Sequence, residues 1–418
     1  MKLLMVGHSF LSAYNQIKYA AMKQLNPELR VRLVVPTSMR MRFGPLPYGV
    51  HPGLSHEDVI PLKPRFTVWA QHMTYLHNPA RMAAILRDFQ PDVIHIEEEP
   101  HALITVETIA LQRIFARRAA VTVHEFDNIL RPRRFPLGAI KRILRAYSLR
   151  RITAALCANQ RSTELLRAEG YFRGFIEILP QYGFDATELH PGNEPRLRAE
   201  LGLQDGVVIG HVGRLAEEKG LRSLIEALGR LQNYPWKLLL LGAGPLEREI
   251  RQRWMTEFPG RIILVPAVPL DQVAPYFRCA DIFVLASYSM PNWKEQFGAS
   301  LAQAMLTGIP SIGSTSGAIP EVLGPGGIIF KEKQTDDLAR AFEELLASPA
   351  RRREFGALGR EFALRNYSKE VVAARYLAAF ERARSVRNRA SKDPSITIKR
   401  TEAERDPSVQ HVKLSPKN

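Results

Sequence analysis

Residues 281–308 read DIFVLASYSMPNWKEQFGASLAQAMLTG, and this stretch holds the side chains best placed for chemistry. The apolar run Asp281–Ala286 has the length of a buried strand, and polar, loop-forming residues follow it. From Phe297 onward Leu301, Ala304 and Met305 recur at helical spacing until Gly308-Ile309-Pro310 ends the pattern. Strand, loop and helix N-terminus together form an anion site, because the N–H groups of a first helical turn have no partner inside the helix. Glu295 closes the loop, and Gly298 lets a ligand approach the backbone. A helix start in which Glu295 only complements the dipole reads equally well. A second such joint stands earlier. The run Val207–Gly213 is followed by Arg214 and then by Lys219-Gly220, ahead of a helix carrying Leu221, Leu224, Ile225 and Leu228. Arginine forks onto two phosphate oxygens and lysine adds a mobile charge; pairing with Glu217 and Glu218 is the structural alternative.

The segments GRLAEEKG (213–220) and EQFGASLAQAM (295–305), in this order and spacing, resemble the retaining glycosyltransferases of family four, the glycosyl transferases group 1. The resemblance is strongest over about 205–330, where SIGSTSGAIPEVLGPGGIIF (311–330) adds to it, and it places an inter-domain linker at IEILPQYGFD (176–185). It implies the GT-B fold: α/β, two Rossmann-like domains facing across a cleft, with a C-terminal helix crossing back to the N-terminal domain. It also implies roles. Arg214 and Lys219, beside Gly213, would hold the donor diphosphate, and Glu295 would bind the sugar hydroxyls. Phe297 and Gly298 lie inside the signature, and Val268 would present backbone to the base. Gly242 and Gly244 would let backbone approach the donor. His124 would face the acceptor and the transferred sugar, with Gly7 and His8 also on the acceptor side. The second acidic position of the signature, which would hold the ribose, is Gln303 here. Glutamine keeps an acceptor and loses the charge, a change worth roughly 1–2 kcal/mol, or about tenfold in donor affinity.

The chain's 418 residues suit two domains rather than one core. With 45% hydrophobic and 24% charged residues, the composition is that of a soluble globular protein. No secretory signal stands at Met1-Lys2, and no apolar run approaches the roughly 20 residues that cross a bilayer. Cys157 and Cys279, far apart in apolar segments, read as reduced buried thiols of a cytoplasmic protein. No Cys/His cluster has metal-site spacing, so neither a metal nor another cofactor is expected.

A net charge of +16 asks for an acidic partner. Between Arg131 and Arg151 stand eight Lys or Arg and no Asp or Glu, while Leu137, Ile140, Ile143, Leu144 and Tyr147 keep helical spacing. This basic amphipathic helix suits the inner face of an anionic plasma membrane, or else a core-packed helix with a solvated basic face. No stacking ladder or recognition helix supports nucleic acid as a partner.

Strands alternate with helices along the whole chain, the mark of parallel α/β sheets. Lys2–Val6, Val31–Val35, Val59-Ile60, Val93–Ile96, Ala119–Val123, Ile152–Cys157 and Phe175–Leu179 form the first series, with no dinucleotide fingerprint. Glu97-Glu98-Glu99 ends one of these strands, as a solvated loop or as partners of arginines. His124 ends another, and a strand-capping structural role reads as well as a functional one. The N-terminal acceptor domain is expected over 1–183, with Pro36–His56 an irregular loop. The nucleotide-sugar donor domain is expected over 184–367, the crossing helix over about 368–386, and a disordered basic tail over 387–418. Thr335 and Ser368 are expected to cap the last helices.

The expected activity is retaining, metal-independent transfer of a hexosyl group from a nucleotide-diphosphate sugar to a hydroxyl of a glycan or lipid-linked acceptor, in cell-envelope or exopolysaccharide synthesis. The alternatives are a silent nucleotide-sugar-binding scaffold, motivated by Gln303, and a nucleic-acid binder, motivated by charge.

Overall fold

The central apolar runs of the sequence are buried on both faces, which is the condition for parallel sheets, and the computed structural model contains two of them. It describes residues 1–41, 44, 45, 48–65, 75–129, 137–170, 172 and 174–392. The first sheet has seven parallel strands in the order Val59–Leu62, Arg30–Pro36, Lys2–Val6, Val93–Ile96, Ala120–Glu125, Ala154–Cys157, Phe175–Ile178. The second has six, in the order Ile262–Val265, Trp236–Leu241, Val207–Val212, Ile282–Leu285, Ser311–Ser314, Gly327–Phe330.

In each sheet the strand order reverses at one place, and the loops beyond the strand ends diverge there to leave a crevice. In the first sheet this point lies between Lys2–Val6 and Val93–Ile96, which continue into Gly7-His8 and Glu97-Glu98. In the second it lies between Val207–Val212 and Ile282–Leu285, which continue into 213–220 and 286–298. Both stretches singled out for chemistry therefore leave the one switch point of the second sheet.

The long helix Lys369–Lys392 returns to the first domain. Its Val372, Ala373, Tyr376, Ala379, Phe380 and Ala383 are buried in the first domain's core, packing partly on the helix Ile17–Leu25. Each large apolar side chain so buried contributes about 1.5–3 kcal/mol. The chain crosses between domains twice, side by side: Phe184 N–H donates to the Tyr367 carbonyl (2.9 Å), and Lys369 N–H to that of Phe184 (2.8 Å).

Several expectations need correction. The last helix runs through Arg387, which donates to the Arg117 carbonyl (2.7 Å), to Lys392, and the remainder of the expected tail lies outside the described residues. Thr335 is the first residue of its helix and Gln334 the cap; the Ser368 hydroxyl bonds to the Leu364 carbonyl and so serves the preceding helix. Part of the expected 36–56 loop is also outside the described residues, but Arg40–Met41 pairs antiparallel with Gly44–Pro45. Glu97 and Glu98 are only 3% exposed, so they do not form a solvated loop.

Candidate functional site

The second sheet's switch point places Glu295 and Lys219 in contact. Lys219 closes a short 3-10 turn, Glu217–Lys219, and Gly220 follows with φ +71°. A Cβ on Gly220 would lie 1.9 Å from the Ala286 carbonyl oxygen, so only glycine lets this loop tuck under the neighbouring strand's end. The Lys219 Nζ then donates to Glu295 Oε2 at 2.6 Å and stands 4.8 Å from the centre of the Trp293 ring. Ser287 Oγ donates to the same carboxylate oxygen (2.9 Å). Gly317, at φ +55°, seats the Glu295 backbone, since a Cβ there would come within 2.0 Å of its carbonyl oxygen.

Arg214 forms an ion pair with Glu218, and the Glu218 carbonyl accepts from Tyr288 N–H at 3.0 Å. The 213–220 and 286–298 loops are thus stitched together, and both candidate phosphate cations hold carboxylates of the chain itself. Gly298, at φ +87°, caps the helix Ala299–Leu306, and its first-turn amides open on the same switch point.

The remaining donor-side residues sort differently. Gly242 and Gly244 admit the chain's own backbone: a Cβ would lie 1.9 Å from the Gly213 carbonyl oxygen and 2.3 Å from that of Leu215. They fix the position of the Arg214 loop. Phe297 is a core side chain, stacked on Phe184 with ring centres 6.5 Å apart and edge-on to Tyr367 at 5.5 Å. Val268 lies in a largely exposed loop. Gln303 is 5% exposed and donates from Nε2 to the hydroxyl of Tyr14 in the first domain (2.8 Å). A neutral amide can donate to that tyrosine, whereas a carboxylate can only accept from it. Gln303→Glu is expected to tighten binding of a nucleoside diphosphate about tenfold, with the Tyr14 hydroxyl now the donor; isothermal calorimetry of both proteins checks it.

On the first domain's wall, His8 Nδ1 lies 2.6 Å from Glu98 Oε1, which also accepts from the Tyr75 hydroxyl (2.9 Å). Burial works against a charged imidazole here, but the Glu98 carboxylate, with Glu97 behind it, raises the His8 pKa. His124 is fully buried and points toward the crossing helix: its Nδ1 is 2.9 Å from the Tyr376 hydroxyl and its ring 4.3 Å from that of Phe126. Burial holds its pKa well below 6.5, so the ring is neutral, and Nε2 has no hydrogen-bond partner among the described residues.

Among the described residues, two groups of side chains have metal-ligand atoms within 4.8 Å of one another: His95, Glu97 and His124, and Glu99, Glu125 and Asp127. Each already holds an internal cation. Lys18, 2% exposed, pairs with Glu97. Arg145 donates to Glu125 (2.7 Å) and Glu169 (2.7 Å) and lies 3.7 Å from Glu99. Both cysteines are buried thiols.

The two walls meet. Asn128 Nδ2 donates to the Glu295 carbonyl (2.8 Å) and Asn159 Nδ2 to that of Gln296 (2.8 Å). With Ser287 and Tyr14, these asparagines touch the candidate site residues Glu295, Gln296 and Gln303, and motif spacing does not reveal them. Their one sequence signal is position, since Asn128 and Asn159 follow the carboxyl ends of strands.

Residues 193–362 match a family model described as glycosyl transferases group 1. The chain is 27% identical over 266 residues to the 2-deoxystreptamine glucosyltransferase of Streptomyces kanamyceticus, covering 59% of this chain and 67% of that protein. It is likewise 27% identical over 281 residues to a putative teichuronic acid biosynthesis glycosyltransferase, TuaC, of Bacillus subtilis, covering 65% and 66%. Each match thus takes in about two thirds of the relative. Anabaena Alr3699/HepE, solved in complex with UDP, superposes with a TM-score of 0.70 at 17% identity, covering 91% of this chain and 100% of that one.

Proposed function

We propose that this chain, whose residues 193–362 match the glycosyl transferases group 1 model and whose fold is GT-B, is a retaining hexosyltransferase using a nucleotide-diphosphate sugar. The observation that carries this reading is the meeting of Lys219, Glu295 and the Gly298-capped helix at one switch point, with Arg214 on the adjoining loop and the first domain's strand ends opposite. Breaking a sugar–phosphate bond leaves charge on a diphosphate, which calls for fixed cations and amides rather than a proton donor. Arg214 and Lys219 exchange their internal carboxylates for the diphosphate; Glu295, released from Lys219, turns to the sugar hydroxyls, and Gln303 to the ribose. The acceptor hydroxyl attacks C1 from the face that the diphosphate leaves. The C1–O bond to phosphate breaks as that to the acceptor forms, and the hydroxyl proton passes to the departing phosphate oxygen, so configuration is kept. The chain's own cations supply the positive charge, and no metal is required.

The acceptor is a glycan or lipid-linked hydroxyl of cell-envelope or exopolysaccharide synthesis. The name of the Bacillus relative, which refers to teichuronic acid biosynthesis, supports an envelope acceptor, and the complex of the Anabaena protein supports a uridine nucleotide as the first donor to try.

Thermal unfolding against a panel of nucleotide sugars identifies the donor, since a ligand at 100 times its Kd stabilises by about 2.7 kcal/mol. NMR of the product then reads the anomeric configuration. A donor that stabilises the protein and is turned over with configuration kept is the expected result. Binding without turnover, across acceptors, assigns the protein to the scaffold reading that Gln303 motivates; inversion would reject the mechanism.

A further inference from the structure

The helix Leu137–Leu149 turns one edge of its apolar stripe, Ile140 and Ile143, away from the protein, while Leu144 is half-buried and Tyr147 packs on the first domain's core. Ile140, Ile143, Leu144 and Tyr147 fall at i, i+3, i+4 and i+7, on one face. The opposite face is the buried one, and it consists of Arg145, Ala146, Ser148 and Leu149. Ile140 is 51% and Ile143 66% exposed. Lys141 and Arg142 flank them, exposed, and neither has an ion pair among the described residues. Residues 137–151 contain no acid. The adjacent helix Leu103–Phe115, packed against this one, carries Ile114, 60% exposed, in its last turn, with Arg117 and Arg118 exposed just beyond.

We propose that this face docks on an anionic lipid bilayer, with Ile140 and Ile143 at the acyl boundary and Lys141 and Arg142 against headgroup phosphates. The pairing of apolar and basic side chains selects this occupant. A second copy meeting the same face would bring like charges together, and nucleic acid would leave the isoleucines in water. A bilayer interface accepts both. Among the described residues no helix is long and apolar enough to cross a membrane, so the contact is a surface one.

The docked face lies one helix away from the cleft. Arg145, on the inward side, holds Glu125 at the end of Ala120–Glu125, and that chain runs on to Asn128 and its bond to the Glu295 carbonyl. Only this last step, which presents a lipid-linked acceptor to the cleft, rests on the proposed transfer; the docking does not.

Co-sedimentation of the full chain with vesicles tests the docking without any substrate. Binding to phosphatidylcholine vesicles carrying about one third phosphatidylglycerol is expected, weakened by salt, with little on phosphatidylcholine alone. Lys141→Glu/Arg142→Glu should lower partitioning about twentyfold or more, and Ile140→Asp/Ile143→Asp by about tenfold or more, with thermal unfolding unchanged in both. Equal binding to neutral vesicles, no binding, or binding untouched by either double variant would overturn the proposal. So would self-association of the wild type that Ile140→Asp/Ile143→Asp abolishes, which would give the face to a second copy.

Discussion

Replacing Arg214 and Lys219 together by alanine should lower the proposed sugar transfer at least about a thousandfold with every donor that supports it. Loss of one preorganised electrostatic contact to a developing oxyanion already costs about 10²–10³ in rate, and the proposed site would lose two cations from the same diphosphate. The effect should fall on kcat more than on KM, because the charge they meet grows as the sugar departs. The single variants should differ in kind. Arg214→Lys keeps the charge and loses the two-pronged grip. Lys219→Ala, in addition, leaves Glu295 with Ser287 as a donor but without its cation, in a position 8% exposed. Release of nucleoside diphosphate reads the rate, and thermal unfolding of each variant separates lost chemistry from lost fold. Unchanged rates in the double variant would remove both residues from the donor site.

What the sequence disclosed of this site was its parts. The strands ending at Val212 and Leu285, the cations after the first and the carboxylate after the second were legible, because apolar runs and glycines mark strand–loop–helix joints locally. Their meeting was implied by the family resemblance and not by any local pattern. It depends on Gly220 passing beneath the Ala286 carbonyl and on Gly317 seating Glu295, contacts between segments distant in the chain. The bonds Asn128–Glu295 and Tyr14–Gln303 span 167 and 289 residues and leave no local signal. Periodicity failed in another way at Leu137–Leu149. It gives the existence of an apolar face but not its direction, and a charge such as Arg145 is ordinarily assigned to solvent. Here Glu125 and Glu169 neutralise Arg145 on the buried side, which leaves the isoleucines to face outward. Glu97 was hidden for the same reason, since the lysine that makes its burial tolerable lies 79 residues away.

That lysine sets the largest expected effect on stability. Lys18→Met should destabilise the protein by about 3–5 kcal/mol, because it leaves a buried carboxylate without its counter-charge, and should lower Tm by roughly 10 °C. Glu97 would keep the Tyr19 hydroxyl at 2.8 Å and that of Ser9 at 3.0 Å, which solvate but do not neutralise it. Adding Glu97→Gln should recover most of the loss, since an uncharged amide needs no cation. The pH dependence follows from the same pair. Burial alone would push the Glu97 carboxyl up, but Lys18, helped by His95, outweighs it and holds the pKa well below 4.5. In the wild type that contribution is therefore complete above the unfolded value and is lost only as pH falls through the lower folded one. Without Lys18, burial acts unopposed by that charge and the folded carboxyl titrates higher, so the variant recovers relative stability on acidification. Denaturant unfolding at pH 7 and near pH 5 should accordingly show the gap between the two proteins narrowing. A gap that is constant or widens would mean that Lys18 acts by packing rather than by charge. The cost should also reach the cleft. Lys18 donates to the Gln181 carbonyl of the linker at 2.6 Å and stands 4.4 Å from the ring centre of Tyr376 on the crossing helix. It therefore fastens both inter-domain crossings to the first sheet, and a protein without it has lost part of what holds the two walls of the site in register.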